Sequence, residues 1–263
     1  MLARYVGALF LLLLAGRLRA QSQDEMNAAN NPLQPTLGVN IQNQYSDQLY
    51  DSDADSNALL LRGSVPHKLF GKPQLMRLTL PIVTSPDVPP SGSHTDVGDL
   101  NVFDTFLFKA GGVEFGIGPQ LTAPTAGRDE TGTGKWQAGI ALVTIAPQKW
   151  GLLGGLVTWQ HSFAGDDARR TQNNLQAQPF VIYNLPRGWY LRSTATWNWD
   201  LEQDTYSIPF GLGAGKVWKS GSTTYNVFAE PQWTVAHHGQ GVPQLQFFFG
   251  LNLQFPLGPS APH

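Results

Sequence analysis

Strict alternation of apolar and polar residues over about ten positions, repeated along nearly the whole chain, limits what this sequence can fold into. In "LQFFFGLNLQF", Leu245, Phe247, Phe249, Leu251, Leu253 and Phe255 share one side, and Gln246, Gly250, Asn252 and Gln254 share the other. "TLGVNIQNQY" sets Leu37, Val39, Ile41 and Tyr45 against Gly38, Asn40, Gln42 and Gln44. "GVEFGIGPQLTAPT" sets Val113, Phe115, Ile117, Pro119 and Leu121 against Glu114, Gly116, Gly118, Gln120 and Thr122. A period of two is that of a β-strand, whose side chains point to opposite faces in turn. Soluble sandwiches alternate too, so strand length and residue type carry the decision. These segments exceed the usual soluble strand of about five or six residues and match the roughly 9–11 residues of a tilted transmembrane strand. Their polar faces are rich in Gln, Asn, Gly, Ser and Thr and poor in Lys and Glu, which suits a confined lumen.

Twelve candidate strands follow, at 36–45, 57–66, 74–83, 98–108, 112–122, 134–146, 150–163, 174–185, 188–199, 205–217, 223–235 and 242–255. Connections alternate between longer, charged stretches such as "SPDVPPSGSHTDV" and "AGDDARRTQN" and short ones such as "KAGG" and "LPRG". An even strand number with long external loops and short periplasmic turns is the pattern of an outer-membrane barrel. The expected fold is therefore all-β, a transmembrane up-and-down antiparallel β-barrel of about 12 strands spanning 36–255, behind an N-terminal signal peptide. The run "YVGALFLLLLAG" after Arg4 is short for a membrane helix, which needs roughly 20 apolar residues, and reads as a secretory signal over 1–20 cut after Ala20. Residues 21–35 are expected to be a short polar periplasmic segment and 256–263 a periplasmic tail. The location implied is the outer membrane of a Gram-negative bacterium, with both termini periplasmic.

Absence of Cys removes disulfides and every Cys-based metal or redox motif. A net charge of -2 gives no strong attraction to nucleic acid. No cofactor is implied. The partners expected are outer-membrane lipid, the outer-membrane assembly machinery and small hydrophobic or aromatic solutes. Trp136, Trp150, Trp159, Trp189, Trp197, Trp199 and Trp233 lie near strand ends, where aromatic girdles meet the membrane interfaces. By phase, Arg62, Arg77, Glu114, Arg192 and Glu230 point into the lumen, where they either tune permeation or pair and fill it. Proline cannot donate a ladder bond, so Pro119 should mark a bulge or gap. Pro209 and Pro231 should mark weakened pairing at one height, a candidate lateral exit for a hydrophobic solute.

The segments "GIGPQLTAPTA", "GTGKWQAG", "SFAGDDAR", "QPFVIYNLPRGWYL" and "IPFGLGAGKVW" resemble, in order and spacing, the proteobacterial family of outer-membrane transporters known as meta-pathway phenol-degradation proteins. The resemblance covers most of the chain after Ala20 and implies a barrel with a role in uptake of aromatic or other hydrophobic compounds. The tail "PLGPSAPH" departs from the usual finish on a terminal aromatic.

Enzymatic activity is not expected, and neither catalytic nor metal-binding residues are assigned. His161 and Ser162 are adjacent and so point to opposite faces of one strand, which prevents a nucleophile and base pair. His161 falls in phase with Trp159 and Phe163. "DSDADSN" opens like a calcium loop, yet Ser56 and Arg62 stand where Gly and Glu are required. A channel for small hydrophobic or aromatic compounds and a structural or surface-interaction barrel with partner-binding loops are both compatible with these features. A lipid-modifying enzyme and a soluble sandwich are the weaker alternatives.

Overall fold

The computed structural model describes residues 21–89 and 92–257. The expected signal sequence, its cut after Ala20 and the tail from 258 onward lie outside the described residues. The strands are β1 (Leu37–Leu49), β2 (Ser56–Leu69), β3 (Lys72–Thr84), β4 (Thr95–Val97), β5 (Leu100–Ala110), β6 (Val113–Ala123), β7 (Lys135–Gln148) and β8 (Gly151–Gly165). They continue with β9 (Asn173–Asn184), β10 (Trp189–Ser193), β11 (Trp197–Asp200), β12 (Thr205–Gly211), β13 (Gly213–Ser220), β14 (Thr223–His238) and β15 (Pro243–Phe255). All pair antiparallel, and β1 closes on β15 from Leu37 opposite Phe255 to Leu49 opposite Pro243. β4 with β5, β10 with β11, and β12 with β13 are single crossings interrupted in mid-course, so the closed barrel has twelve staves.

Turns at one end are tight. Phe70–Gly71 and Gly111–Gly112 each place two successive residues at positive φ, the geometry whose twist matches an antiparallel hairpin. Loops at the other end run longer, as at 124–134 and 166–172. β1 begins and β15 finishes at the short-turn end. The outward faces expose Val39, Ile41, Ile117, Leu121, Ile140, Val157, Val181, Phe247 and Phe249. An apolar belt running round a closed wall is a surface for lipid, because a soluble monomer exposes only limited apolar patches.

The ladder fails at Pro119, although Pro66, Pro73 and Pro81 pair in register between β2 and β3. β5 and β6 pair from Leu100 opposite Ala123 to Phe103 opposite Gln120, then resume at Phe106 opposite Ile117. Pro119 sits in the gap. The expected continuous strands over 188–199 and 205–217 are each broken, at 194–196 and at Leu212. At 194–196 side chains around a buried carboxylate stand in for the ladder, as described below, whereas the Leu212 N–H donates to the backbone carbonyl of Pro231.

Inside the barrel, toward the short-turn end, lies a helix that alternation gave no sign of. Helix α1 (Gln23–Asn30) begins with Ser22 accepting from the Glu25 N–H while the Glu25 carboxylate accepts from the Ser22 N–H, a reciprocal capping box. Met26, Ala29 and, just beyond the helix, Leu33 pack against Val143, Ile145, Leu152, Ile182, Tyr190, Val217, Phe228 and Phe248. Residues 26–33 are thus enclosed by the wall, while Ser22, Gln23, Asp24 and Pro35 are exposed.

Gly118 meets the wall at the Pro119 gap: a Cβ there would stand 1.8 Å from the Asp104 carbonyl oxygen, whereas one on Gly63 would meet nothing within 4 Å. Gly118→Val is expected to lower stability by about 1–3 kcal/mol or more through overpacking, and Gly63→Ala to stay within about 0.5 kcal/mol. Urea unfolding of the detergent-refolded barrel, followed by tryptophan fluorescence, measures both.

Candidate functional site

Among the described residues, three chambers that share lining residues lie along the lumen. The widest, about 520 Å³ at the long-loop side, is bordered by Asn174, Asn198, Thr205, Ser207, Thr234 and Gln246. A middle chamber of about 290 Å³ is bordered by Thr79, Asn101, Phe103, Gln120, Thr122 and Thr158. The third, about 150 Å³, reaches α1 at Ala29, Asn30 and Asn31. Arg62 borders all three chambers. Amides and hydroxyls on the inward half of each alternating strand supply most of the lining, with Phe103, Phe180, Phe228 and Phe248 among them.

At its foot the lumen is stoppered by α1, and the wall provides the bonds. A helix leaves its last carbonyls without internal partners. Asn226 donates to the Ala29 carbonyl at 3.1 Å and to the Asn30 side chain at 3.0 Å, and Gln254 reaches the Ala28 and Ala29 carbonyls at 3.4 Å. Tyr190, fully buried, donates to Asn226 at 2.6 Å and holds its orientation. Asn184 donates to Gln23 and Asn27, Asn27 to the Gln148 carbonyl, and Asn31 to Glu114 at 2.7 Å. Lys219 donates to Glu25 at 2.6 Å. That bond, followed by the Ser22 N–H, holds the Glu25 carboxyl below its ordinary value.

The wall itself carries a seam. On β9, ladder pairing stops at Val181 opposite Ser193 and resumes at Ala177 opposite Trp197, which leaves Pro179 in the gap. On the next stave it stops at Arg192 opposite Gly213 and resumes at Asn198 opposite Ser207. A register shift lies between Ile208 and Pro209 on β12. Pro231 pairs in register with Phe247 on β15. On its other side it lies between the two ladder segments that β14 makes with β12 and β13. Side chains take over these missing bonds, as a lipid-embedded wall requires. The Thr194 N–H donates to Glu230 at 2.7 Å, Gln178 donates to the Thr194 carbonyl at 2.8 Å, and the Trp197 indole donates to the Pro209 carbonyl at 3.1 Å.

Glu230 is the centre of this seam. Its carboxylate, with no solvent exposure, accepts from Arg192 Nε at 2.6 Å and from the Thr194 hydroxyl at 2.7 Å. Arg192 in turn lies 3.7 Å from the Phe228 ring centroid. The run Gly211, Gly213, Gly215 makes room: a Cβ at Gly211 would stand 2.1 Å from Glu230, one at Gly213 would meet the Ala229 carbonyl and Glu230, and one at Gly215 would strike the Tyr190 ring. The G-x-G-x-G pattern is a set of berths for lumen side chains.

No protein-family model and no curated protein matches this chain. Among solved structures it is similar to the COG4313 outer membrane channel from Pseudomonas putida F1, with a TM-score of 0.62 and 19% identity over 84% of this chain and 95% of that one. It is also similar to the NanC porin, with a TM-score of 0.50 and 10% identity over 84% of this chain and all of the porin. The fold is that of an outer-membrane barrel.

The five charged residues expected in the lumen divide into two kinds. Glu114 is bonded to Lys109 and Asn31, and Arg192 to Glu230. Arg62 and Arg77 enter no ion pair among the described residues. Of the expected girdle, Trp136, Trp150, Trp159, Trp189 and Trp233 are exposed, while Trp197 and Trp199 pack edge to face beside the seam. Trp218, not assigned from sequence, stacks on Tyr225 at the short-turn end, as Trp150 stacks on Tyr183. His161 is exposed with Phe163, and the Ser162 hydroxyl accepts from the Gln172 N–H. The residues missed by strand phase were those of α1; the S-x-x-E spacing of Ser22 and Glu25 is the one local signal that would have found it.

Removing one partner of a buried ion pair strands the other charge, at a cost of about 3–5 kcal/mol, while replacing both with apolar residues costs less. Glu230→Ala is expected to lower stability by that amount, and Arg192→Met with Glu230→Leu to recover part of it. Urea titration measures the energies, and hydrogen exchange at the Thr194 amide reports whether the seam has loosened.

Proposed function

We propose that this protein is an outer-membrane channel for small hydrophobic or aromatic compounds, gated at its short-turn mouth by α1. The observation that carries the reading is the lumen itself: chambers bordered in common by Arg62 lead from the long-loop end to a helix held by side-chain bonds rather than by the ladder. A wall meant only as scaffold has no need of such a stopper, and an alternating polar lining offers a path that a filled core does not.

The orientation that fits is short turns and both termini in the periplasm, long loops outside, after cleavage of the leader at Ala20. The seam between β9 and β14 supplies the lateral exit in this reading. Phe210 and Leu212 cover its outer face, and a hydrophobic solute leaving beside them enters the bilayer without crossing the periplasmic mouth. The family resemblance to aromatic-compound transporters supports the same solute class. No catalytic role is assigned to any residue.

Planar-bilayer conductance tests the gate. Deleting residues 21–34 is expected to raise single-channel conductance several-fold over the intact chain, and phenol-loaded liposomes should equilibrate through either form. A barrel that neither conducts nor passes phenol with α1 removed is not a channel, and a surface-interaction role would then stand in its place.

A further inference from the structure

Arg62 and Arg77 border two chambers of the lumen and enter no ion pair among the described residues. β2 and β3 set Arg62 opposite Thr79 and Ser64 opposite Arg77, so the two arginines are diagonal neighbours on one inward face, within reach of the same ligand. Arg62 donates through Nη1 to Gln42, and Gln42 is anchored by its own bond to Asn252. Arg77 lies over the Phe103 ring at 4.2 Å. The Nε atoms of both are buried and have no hydrogen-bond partner.

The nearby carboxylates are all committed elsewhere. Asp99, which borders the middle chamber, accepts from the Ala126 N–H and from the Thr133 N–H and hydroxyl. Glu230 belongs to Arg192 and Thr194, and Glu114 to Lys109 and Asn31. Burying two like charges with unsatisfied donors is costly, and an arrangement of this kind is what attracts an anion to a narrow polar channel. The guanidinium fork matches a carboxylate through two parallel N–H bonds. Phe103 and Phe248, both nearly buried, border the same chamber and offer ring faces beside the charge.

We propose that Arg62 and Arg77 form a binding site for a small carboxylate with an apolar, single-ring body. Its meaning for transport rests on the channel reading, whereas binding itself does not. The middle chamber, about 290 Å³, is at the lower end of the range for small-molecule sites. A neutral phenol-like compound passes the same arginines without engaging their charge, so the site favours the ionised aromatic acid over its alcohol.

Equilibrium dialysis of labelled benzoate against the detergent-purified full barrel tests this, with benzyl alcohol and inorganic phosphate as competitors. One saturable benzoate site per barrel is expected, weakened at least about tenfold in Arg62→Gln and in Arg77→Gln, since each loses a charge-assisted pair. Arg77→Lys should restore only part of the affinity lost in Arg77→Gln, because an ammonium keeps the charge but not the fork, and benzyl alcohol should fail to displace benzoate at equal concentration. Absence of saturable binding, equal displacement by benzyl alcohol, or undiminished affinity in the double Gln variant overturns the site. Phosphate binding as tightly as benzoate also overturns it, because a general oxyanion site would make no use of the rings. Heat-modifiable migration on gels shows whether each variant has folded; if the Gln variants have not, benzoate against benzyl alcohol on the intact chain decides. Conductance without benzoate binding removes the carboxylate site and leaves the channel, whereas binding without conductance does the reverse.

Discussion

A wall standing in hydrocarbon has to satisfy every backbone N–H and carbonyl from within, and in this molecule that requirement shapes much more than the strands. Closure of β1 on β15 removes the sheet's edges. Where proline or an interruption breaks the ladder, side chains are drawn into the wall to replace it. Glu230 accepts from the Thr194 amide, Gln178 donates to its carbonyl, and Trp197 serves the carbonyl of Pro209. The seam is therefore bonded through groups that can exchange partners, unlike the ladder around it. Arg192 and the berths at Gly211 and Gly213 are consequences of bringing a carboxylate to that place.

The same demand explains how the lumen is closed. A helix tucked into a barrel has orphan carbonyls at its C-terminus and no water guaranteed to meet them. Asn226 and Gln254, on the inward phase of β14 and β15, take that part, and the Tyr190 hydroxyl keeps Asn226 turned the right way. Polar residues that alternation marks simply as lumen lining thus divide into those that bind α1, those that bind the seam and those that border open space. Arg62 and Arg77 belong to the last kind. They lie between the helix and the wide chamber, facing the path that a solute would follow.

Much of the architecture was legible one strand at a time. A period of two is local, so the inward and outward sets of each strand follow from the residues themselves; in "GVEFGIGPQL" Gly116, Gly118 and Gln120 are buried while Ile117, Pro119 and Leu121 are exposed. Prolines were readable in part: a missing N–H is a property of the residue, yet Pro231 pairs in register with Phe247. Pro119 lies in a ladder gap and Pro209 at a register shift. What local reading missed was the continuity of two staves, since in the break at 194–196 Glu230, from a third strand, accepts from the Thr194 N–H, and at Leu212 the N–H turns to the Pro231 carbonyl. Helix α1 went unread for a related reason: its few apolar residues make a weak pattern until the barrel surrounds them.

The sequence by itself therefore determined an all-β barrel of twelve staves, its tight and long ends and its apolar belt, and offered five charges as candidates for the lumen. Tertiary structure alone decided which of those charges are neutralised. Arg192 and Glu230 are 38 residues apart, and they meet because register across β10, β13 and β14 brings them to one height. Among the described residues no carboxylate pairs with Arg62 or Arg77, and both border the lumen. Phase is a property of a strand, but pairing depends on the stagger with which strands close into a barrel, and that is set only when the last strand meets the first.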